Sequence, residues 1–347
     1  MPLSTYFKIL NGELISAFRI SAGIPVGLDR GGTQILSLNE LLAIDKNLSS
    51  GFYETHNPEI PEYFPRNEIS LLELKSIIAR RMLAECAICE NRCGVNRFDG
   101  QRGKCRVGAD SYYASEFIHV GEEHELVPSH TVFFTGCTFG CIFCQNWDIA
   151  HGKLAELDGG TRVDDDLVKR IMKREKASRN LNLVGGNPDQ HLAAILEMLV
   201  KLENRGYSKP IVWNSNLYMT PEALQLLTGV ADVHLADFKY GTNECGSELS
   251  KVNRYYDVIT RNLLAVRPVS DILIRHLVLP GHVDCCTSKI VEWTRDNLPD
   301  ARFNLMFQYH PDYMAESHPV LSRYLSYEER AEATRLAYSA GLIESDR

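Results

Sequence analysis

Ten cysteines stand in the chain, and seven of them fall into two tight groups. Cys137, Cys141 and Cys144 follow a C-x3-C-x2-C spacing within Phe133-Phe134-Thr135-Gly136-Cys137-Thr138-Phe139-Gly140-Cys141-Ile142-Phe143-Cys144. Three thiolates leave a four-coordinate structural zinc site one ligand short. A [4Fe-4S] cluster takes four cysteines, so three leave one iron open to a substrate or cofactor. Gly136 and Gly140 let such a loop turn tightly, because glycine tolerates positive φ. The competing reading is zinc, completed by a distant His or Cys such as Cys245.

The other group, Cys86, Cys89, Cys93 and Cys105, is spaced C-x2-C-x3-C-x11-C and punctuated by Gly94, Gly100 and Gly103. Four thiolates suit structural zinc or a second iron–sulfur cluster. Zinc would staple a segment too small to hold its own core, and a cluster would relay electrons. A group that binds no metal is the third reading. Cys245, Cys285 and Cys286 stand apart and read as ordinary thiols.

These groups need elements to position them, and a regular alternation supplies some. An apolar run at 131–135 leads into the C-x3-C-x2-C loop. Helix signals follow at 163–177, 189–205, from Pro221, within 246–266, at 287–297 and at 327–340. They alternate with strand signals at 181–184, 210–214, 232–238, 271–279 and 303–309. Asp164, Asp165 and Asp166 open the 163–177 helix, where carboxylates suit the helix dipole. Alternating strands and helices predict parallel strands with right-handed crossovers, as an open doubly wound sheet or an incomplete barrel. Either way, ligands bind at the carboxyl ends of the strands.

Polar residues and glycines gather at those ends: Gly185-Gly186-Asn187, Asn214-Ser215-Asn216, Asp237 with Lys239, Arg275, and His310. Each has a bland reading alone, as a turn, a helix cap, an exposed ion pair or a structural histidine. His276 alternates to the other face and reads as structural. In residues 1–80, Leu71 to Leu83 reads as a helix. Gly23-Ile24-Pro25 and the prolines at 58, 61 and 65 predict mostly irregular structure elsewhere in that stretch. The expected division is an extension of unassigned role at 1–80, a cysteine-rich metal-binding segment at 81–128, and a core at 129–347.

Composition narrows the function classes. A hydrophobic fraction of 44% and a charged fraction of 24% fit a globular chain. Net charge is −8, so a broad basic face for nucleic acid is not expected. No apolar run has the roughly 18 residues of a membrane span. No basic-then-apolar leader opens the chain, so the expected location is the reducing cytoplasm, where clustered cysteines hold metals rather than disulfides.

The C-x3-C-x2-C loop, with aromatic Phe143 before its last cysteine, resembles the radical S-adenosylmethionine (SAM) superfamily. More narrowly, together with Cys86-Ala-Ile-Cys-Glu-Asn-Arg-Cys93, it is similar to the pyruvate formate-lyase activating enzymes and their uncharacterised relatives. The resemblance covers roughly 85–315. It implies a partial (β/α)6 barrel, with a [4Fe-4S] cluster on Cys137, Cys141 and Cys144 and SAM on its open iron. The relatives carry a similar upstream cysteine-rich segment, where the four thiolates Cys86, Cys89, Cys93 and Cys105 are expected to hold a second metal centre, zinc or iron–sulfur, and the expected electron donor is a protein such as flavodoxin or ferredoxin. By the same resemblance, Phe143, Gly185, Gly186, Asn187, Asn214, Ser215, Asp237, Lys239, Arg275, Leu277 and His310 contact SAM. Asn187 replaces the family's Glu and Asn214 its frequent Asp, which removes two carboxylates. The implied activity is reductive cleavage of SAM and hydrogen abstraction, for installing a glycyl radical or for modifying a peptide or small metabolite. A cysteine-rich adaptor without catalysis is the reading of another class.

Overall fold

A computed structural model describes residues 2–55, 58–60, 64, 65, 67–156 and 159–344; Pro61 lies outside them. The chain opens with α1 (Ser4–Leu10), α2 (Ala17–Gly23), α3 (Arg30–Ile35), α4 (Leu38–Leu48), α5 (Gly51–Glu54) and α6 (Leu71–Arg81). The strands are β1 (Tyr112–His119), β2 (Ser129–Phe134), β3 (Thr161–Arg162), β4 (Asn180–Gly185), β5 (Ile211–Ser215), β6 (Val233–Asp237), β7 (Asp271–Leu277) and β8 (Arg302–Met306). Beyond β2 come α7 (Trp147–Ala150), α8 (Lys153–Glu156), α9 (Asp165–Arg174), α10 (Leu192–Glu203), α11 (Pro221–Gln225), α12 (Asn243–Ser250), α13 (Tyr255–Val266), α14 (Lys289–Asn297) and α15 (Tyr327–Ser339).

The strands form one sheet in the order β3-β1-β2-β4-β5-β6-β7-β8. From β2 to β8 every neighbouring pair is parallel. Each parallel strand lies beside its predecessor, with no reversal of order. That one-way winding is what curls a sheet into a barrel, whereas a doubly wound sheet reverses at a switch point. The architecture is therefore α/β, a partial barrel of six parallel strands. The antiparallel strands β1 and β3 extend the β2 edge, so the 81–128 segment is continuous with the sheet.

The helices cover the outer face. Leu192, Ile195, Leu196 and Leu199 on α10 are fully buried against the sheet and α6. The expectation of mostly irregular structure in residues 1–80 is corrected. Prolines and glycines mark the connections there, and short helices fill the gaps. Capping boxes start α4 and α6, with Ser37 answered by Glu40 and Ser70 by Glu73.

The first helix has a specific place. Leu3 and Tyr6 form a separate apolar cluster with Val212, Val233, Leu235 and Leu273 from three adjacent strands. The Tyr6 backbone N–H donates to Asp271 at 2.7 Å, and its hydroxyl accepts from Asn180 at 2.8 Å. Asp271 and Asn180 begin β7 and β4, so α1 packs over the amino-terminal ends of the strands. The opposite end remains for chemistry.

Candidate functional site

At the carboxyl ends of the six parallel strands lies a cavity of about 240 Å³. Its lining combines Cys137, Cys141, Phe143 and Cys144 with Gly185, Gly186 and Asn187, Asn214 and Ser215, Asp237 and Lys239, and Arg275 and Leu277. Met306 adds the end of β8. All the residues expected to surround SAM meet here except His310. That side chain is half exposed, bonded to Asp312 at 3.0 Å and packed edge-on against Tyr324. His310 is thus not part of the cavity lining, although Gln308, two residues before it, accepts from the cavity-lining Gln145 at 3.3 Å.

The cysteine loop is held by its backbone. Gly140 and Ile142 donate N–H groups to the carbonyls of Ser250 (2.8 Å) and Leu249 (2.9 Å), at the end of α12. The Cys141 sulfur lies 2.8 Å from the Ser250 hydroxyl, which also meets the Tyr240 hydroxyl at 2.5 Å. Asn216 donates to the Thr138 hydroxyl at 2.9 Å and faces the Cys137 sulfur at 3.8 Å. Asn216 belongs to the polar strand-end segment singled out in the sequence; Ser250 and Tyr240 were not among the expected site residues, and nothing in their spacing marks them. Burial raises the Cys137 and Cys141 thiols and pushes Cys144 up to about 12. Apolar surroundings without a metal disfavour thiolate, and metal coordination supplies the missing charge.

Gly185 and Gly186 line the cavity and also meet neighbouring backbone closely. A Cβ on Gly186 would run into the Gly136 carbonyl, and one on Gly185 (φ +120°) into the Phe134 backbone. The pair lets the end of β4 pack on the start of the cysteine loop. Asn187 is also committed internally, donating to Gln190 at 3.0 Å and accepting from the Asn216 N–H at 3.0 Å. Ser215 accepts from the Leu217 N–H at 3.0 Å. Asn214 is different: it is 4% exposed, and its Nδ2 has no partner among the described residues. A buried donor on a cavity wall is left for a ligand to satisfy.

Two cations reach the cavity. Lys239 donates to Asp237 at 2.7 Å. Burial works against its charge, but Asp237, Cys141 and Cys144 outweigh that and raise its pKa. Arg275 is clamped by Glu122 and Glu123, with Nε 2.7 Å from Glu123. Burial opposes the Glu123 charge too, yet the Arg275 guanidinium and Asn304 hold its carboxyl below the usual range. Arg275, expected to contact SAM, lines the cavity with its charge already matched by two acidic residues.

The Cys86–Cys105 segment packs beside the cysteine loop. Asn91 donates to the Thr138 carbonyl at 3.2 Å, and the Cys105 carbonyl lies where a Cβ on Gly136 would come within 2.8 Å. Buried Arg97 lies 3.8 Å from the Cys105 sulfur and donates to Gln190 at 2.8 Å, which in turn donates to Gly136 at 2.8 Å. Among the described residues, neither this group nor Cys137, Cys141 and Cys144 brings three sulfurs within 4.8 Å of one another. Cys245, Cys285 and Cys286, expected to be separate ordinary thiols, do converge, together with His282. Cys245 is thereby accounted for away from the C-x3-C-x2-C loop.

Residues 131–294 match the family model described as the Radical SAM superfamily. Over 349 aligned residues, 99% of each chain, the sequence is 43% identical to the uncharacterized protein MJ0674 of Methanocaldococcus jannaschii. Among solved structures, it is similar to Streptococcus suis SuiB bound to precursor peptide SuiA, with a TM-score of 0.42 and 12% identity over 59% of this chain and 43% of that one. It is also similar to HydG, a maturase of the [FeFe]-hydrogenase, with a TM-score of 0.43 and 10% identity over 87% of this chain and 60% of that one. The chain thus spans less than two thirds of either solved chain. No helix among the described residues is long and apolar enough to cross a membrane.

Proposed function

The chain belongs to the radical SAM superfamily, and from that premise we propose that its cavity holds a [4Fe-4S] cluster on Cys137, Cys141 and Cys144 with SAM beside it. One observation carries this reading: the three sulfurs share a single cavity with side chains from the ends of all six parallel strands. The residues fit the group. Their sulfurs are splayed wider than one ion's ligand set, as a multi-iron cluster requires. The Asn214 Nδ2, without a partner among the described residues, offers a donor to a polar ligand.

When bound, the cluster supplies one electron that splits SAM into methionine and a 5′-deoxyadenosyl radical, which takes a hydrogen atom from the substrate. The chain's own residues bind, orient and exclude water. Lys239 offers its ammonium to the SAM carboxylate, and Asp237 beside it balances the charge. Phe143, Leu277 and Met306 supply apolar wall. Asn187 and Ser215, through their bonds to backbone N–H groups, hold the turn that aims Asn214 and Asn216.

Resemblance to the activating enzymes supports a protein glycine as the hydrogen donor and flavodoxin or ferredoxin as the electron source. Cys86, Cys89, Cys93 and Cys105 are read as a second centre beside the first. Four thiolates there suit either an iron–sulfur cluster or structural zinc. The test is anaerobic reconstitution with iron and sulfide, reduction, and assay for 5′-deoxyadenosine. SAM cleavage is expected from the native chain and none after Cys137, Cys141 and Cys144 are all changed to Ala. Cleavage that survives this triple change would falsify the reading.

A further inference from the structure

Four ligand-type side chains converge outside the cavity, where the loops after β6 and β7 meet. Cys245 sits in the first turn of α12. His282 precedes, and Cys285 and Cys286 lie within, a π-helical turn at Val283–Ser288 that leads into α14. The Cys285 sulfur is 3.8 Å from the sulfurs of both Cys245 and Cys286. The Nδ1 atom of His282 is 3.3 Å from the Cys285 sulfur and 3.9 Å from that of Cys245. All four ligand atoms lie within 4.8 Å of one another. A zinc ion with sulfur at about 2.3 Å and nitrogen at about 2.0 Å sets tetrahedral edges of about 3.8 Å between sulfurs and about 3.5 Å between sulfur and nitrogen. The observed spacings bracket those edges.

We propose that Cys245, His282, Cys285 and Cys286 form a zinc site separate from both other cysteine groups. Four protein ligands close the coordination sphere, which makes the site structural rather than catalytic. Sequence spacing hides it: a vicinal pair and a cysteine forty residues upstream match no zinc-knuckle pattern. The π-helical turn is what presents adjacent Cys285 and Cys286 on one side, and such turns gather at functional positions. Gly241 permits the two loops to touch. A Cβ there would lie 2.6 Å from the Cys285 carbonyl and 2.8 Å from that of Cys286. Cys286 and Cys245 are 1% and 8% exposed, so an ion held between them would be shielded from water.

The consequence reaches the cavity without touching its chemistry. Zinc here ties the loop that follows Lys239 to the turn that follows β7. It also anchors α12, whose last carbonyls hold Gly140 and Ile142 of the cysteine loop. The site is a clamp on the rim of the barrel.

Elemental analysis of the full chain, purified anaerobically from zinc-supplemented cells, tests this directly. About one zinc per chain is expected, retained in Cys89→Ser and in the triple Ala change of Cys137, Cys141 and Cys144. Zinc should be lost in Cys245→Ser, Cys286→Ser and His282→Ala. Because those variants can also unfold, the native chain is tested in parallel by thiol alkylation and mass spectrometry. Zinc should shield Cys245, Cys285 and Cys286, and a chelator should expose them. A folded native chain without zinc, zinc that leaves only in Cys89→Ser, a Cys245–Cys285 disulfide, or alkylation indifferent to chelator would each overturn the proposal.

Discussion

Two polar side chains on the cavity wall make opposite demands on the fold. Asn214 is buried with an Nδ2 that has no partner among the described residues, a standing cost of about 1–3 kcal/mol that a ligand relieves. Asn214→Leu should therefore leave the unliganded chain as stable or more so, while weakening SAM binding about tenfold or more. Arg275 is matched by Glu122 and Glu123, whose side chains are 5% and 4% exposed. Arg275→Ala strands two buried carboxylates and should cost about 3–5 kcal/mol of stability before any ligand is added. Urea unfolding and equilibrium dialysis with SAM, run on both variants, separate the cases. A stability loss in Asn214→Leu matching that in Arg275→Ala would contradict the assignment. The residue types at the strand ends are legible in the sequence, but their partners are not. Glu122 and Glu123 lie about 150 positions before Arg275 and reach it only through the curl of the sheet.

Among the elements, the junction of β4 with the cysteine loop is the most tightly constrained. Gly186 faces the Gly136 carbonyl directly, one residue before Cys137. Gly186→Val must push the loop off the strand end, because backbone cannot yield as a flexible side chain does. Iron bound after reconstitution should fall together with SAM affinity, below half the native amount. Retention of full iron with loss of SAM alone would show that the glycine faces the ligand instead. The Gly-Gly pair can be found by pattern, yet which neighbour demands it is a fact of packing. The same division holds across the fold. From β2 onward, long helices alternate with apolar strands, and period and punctuation suffice to place them. Helices of four to seven residues such as α1, α2 and α5 show too few turns for a period. The Ser37-x-x-Glu40 capping box was a local signal available for α4. β1 buries only Tyr113, its other positions being half-buried or exposed, and it includes Ser115 and Glu116, so it lacks the apolar run of the parallel strands.

At the scale of the whole molecule, the packed barrel keeps several histidines neutral, and this gives its stability a pH dependence. Burial lowers His234 to about 3, and His191 and His276 to about 4, from an ordinary value of 6.5. Below pH 6.5 the unfolded chain takes up a proton at each of these positions and the folded chain does not. Their contribution to stability is therefore complete above pH 6.5 and is lost as pH falls toward 4 and 3. Asp232 titrates the other way: burial raises it to about 7, so it adds stability as pH falls from 7 toward 4. The single group is isolated best at His234, on β6, whose two ring nitrogens both lack partners among the described residues. His234→Leu removes one buried base and leaves no donor or acceptor unpaired. Relative to the native chain, the variant should gain about 2 kcal/mol between pH 7 and pH 5, since 1.5 pH units at about 1.4 kcal/mol each are no longer lost. Anaerobic urea titrations at the two pH values, followed by tryptophan fluorescence, measure this difference directly, because shared titrations such as that of Asp232 cancel. Parallel pH slopes in the two chains would mean that His234 is protonated in the folded state, in contact with water or an acidic group that its strand position denies it.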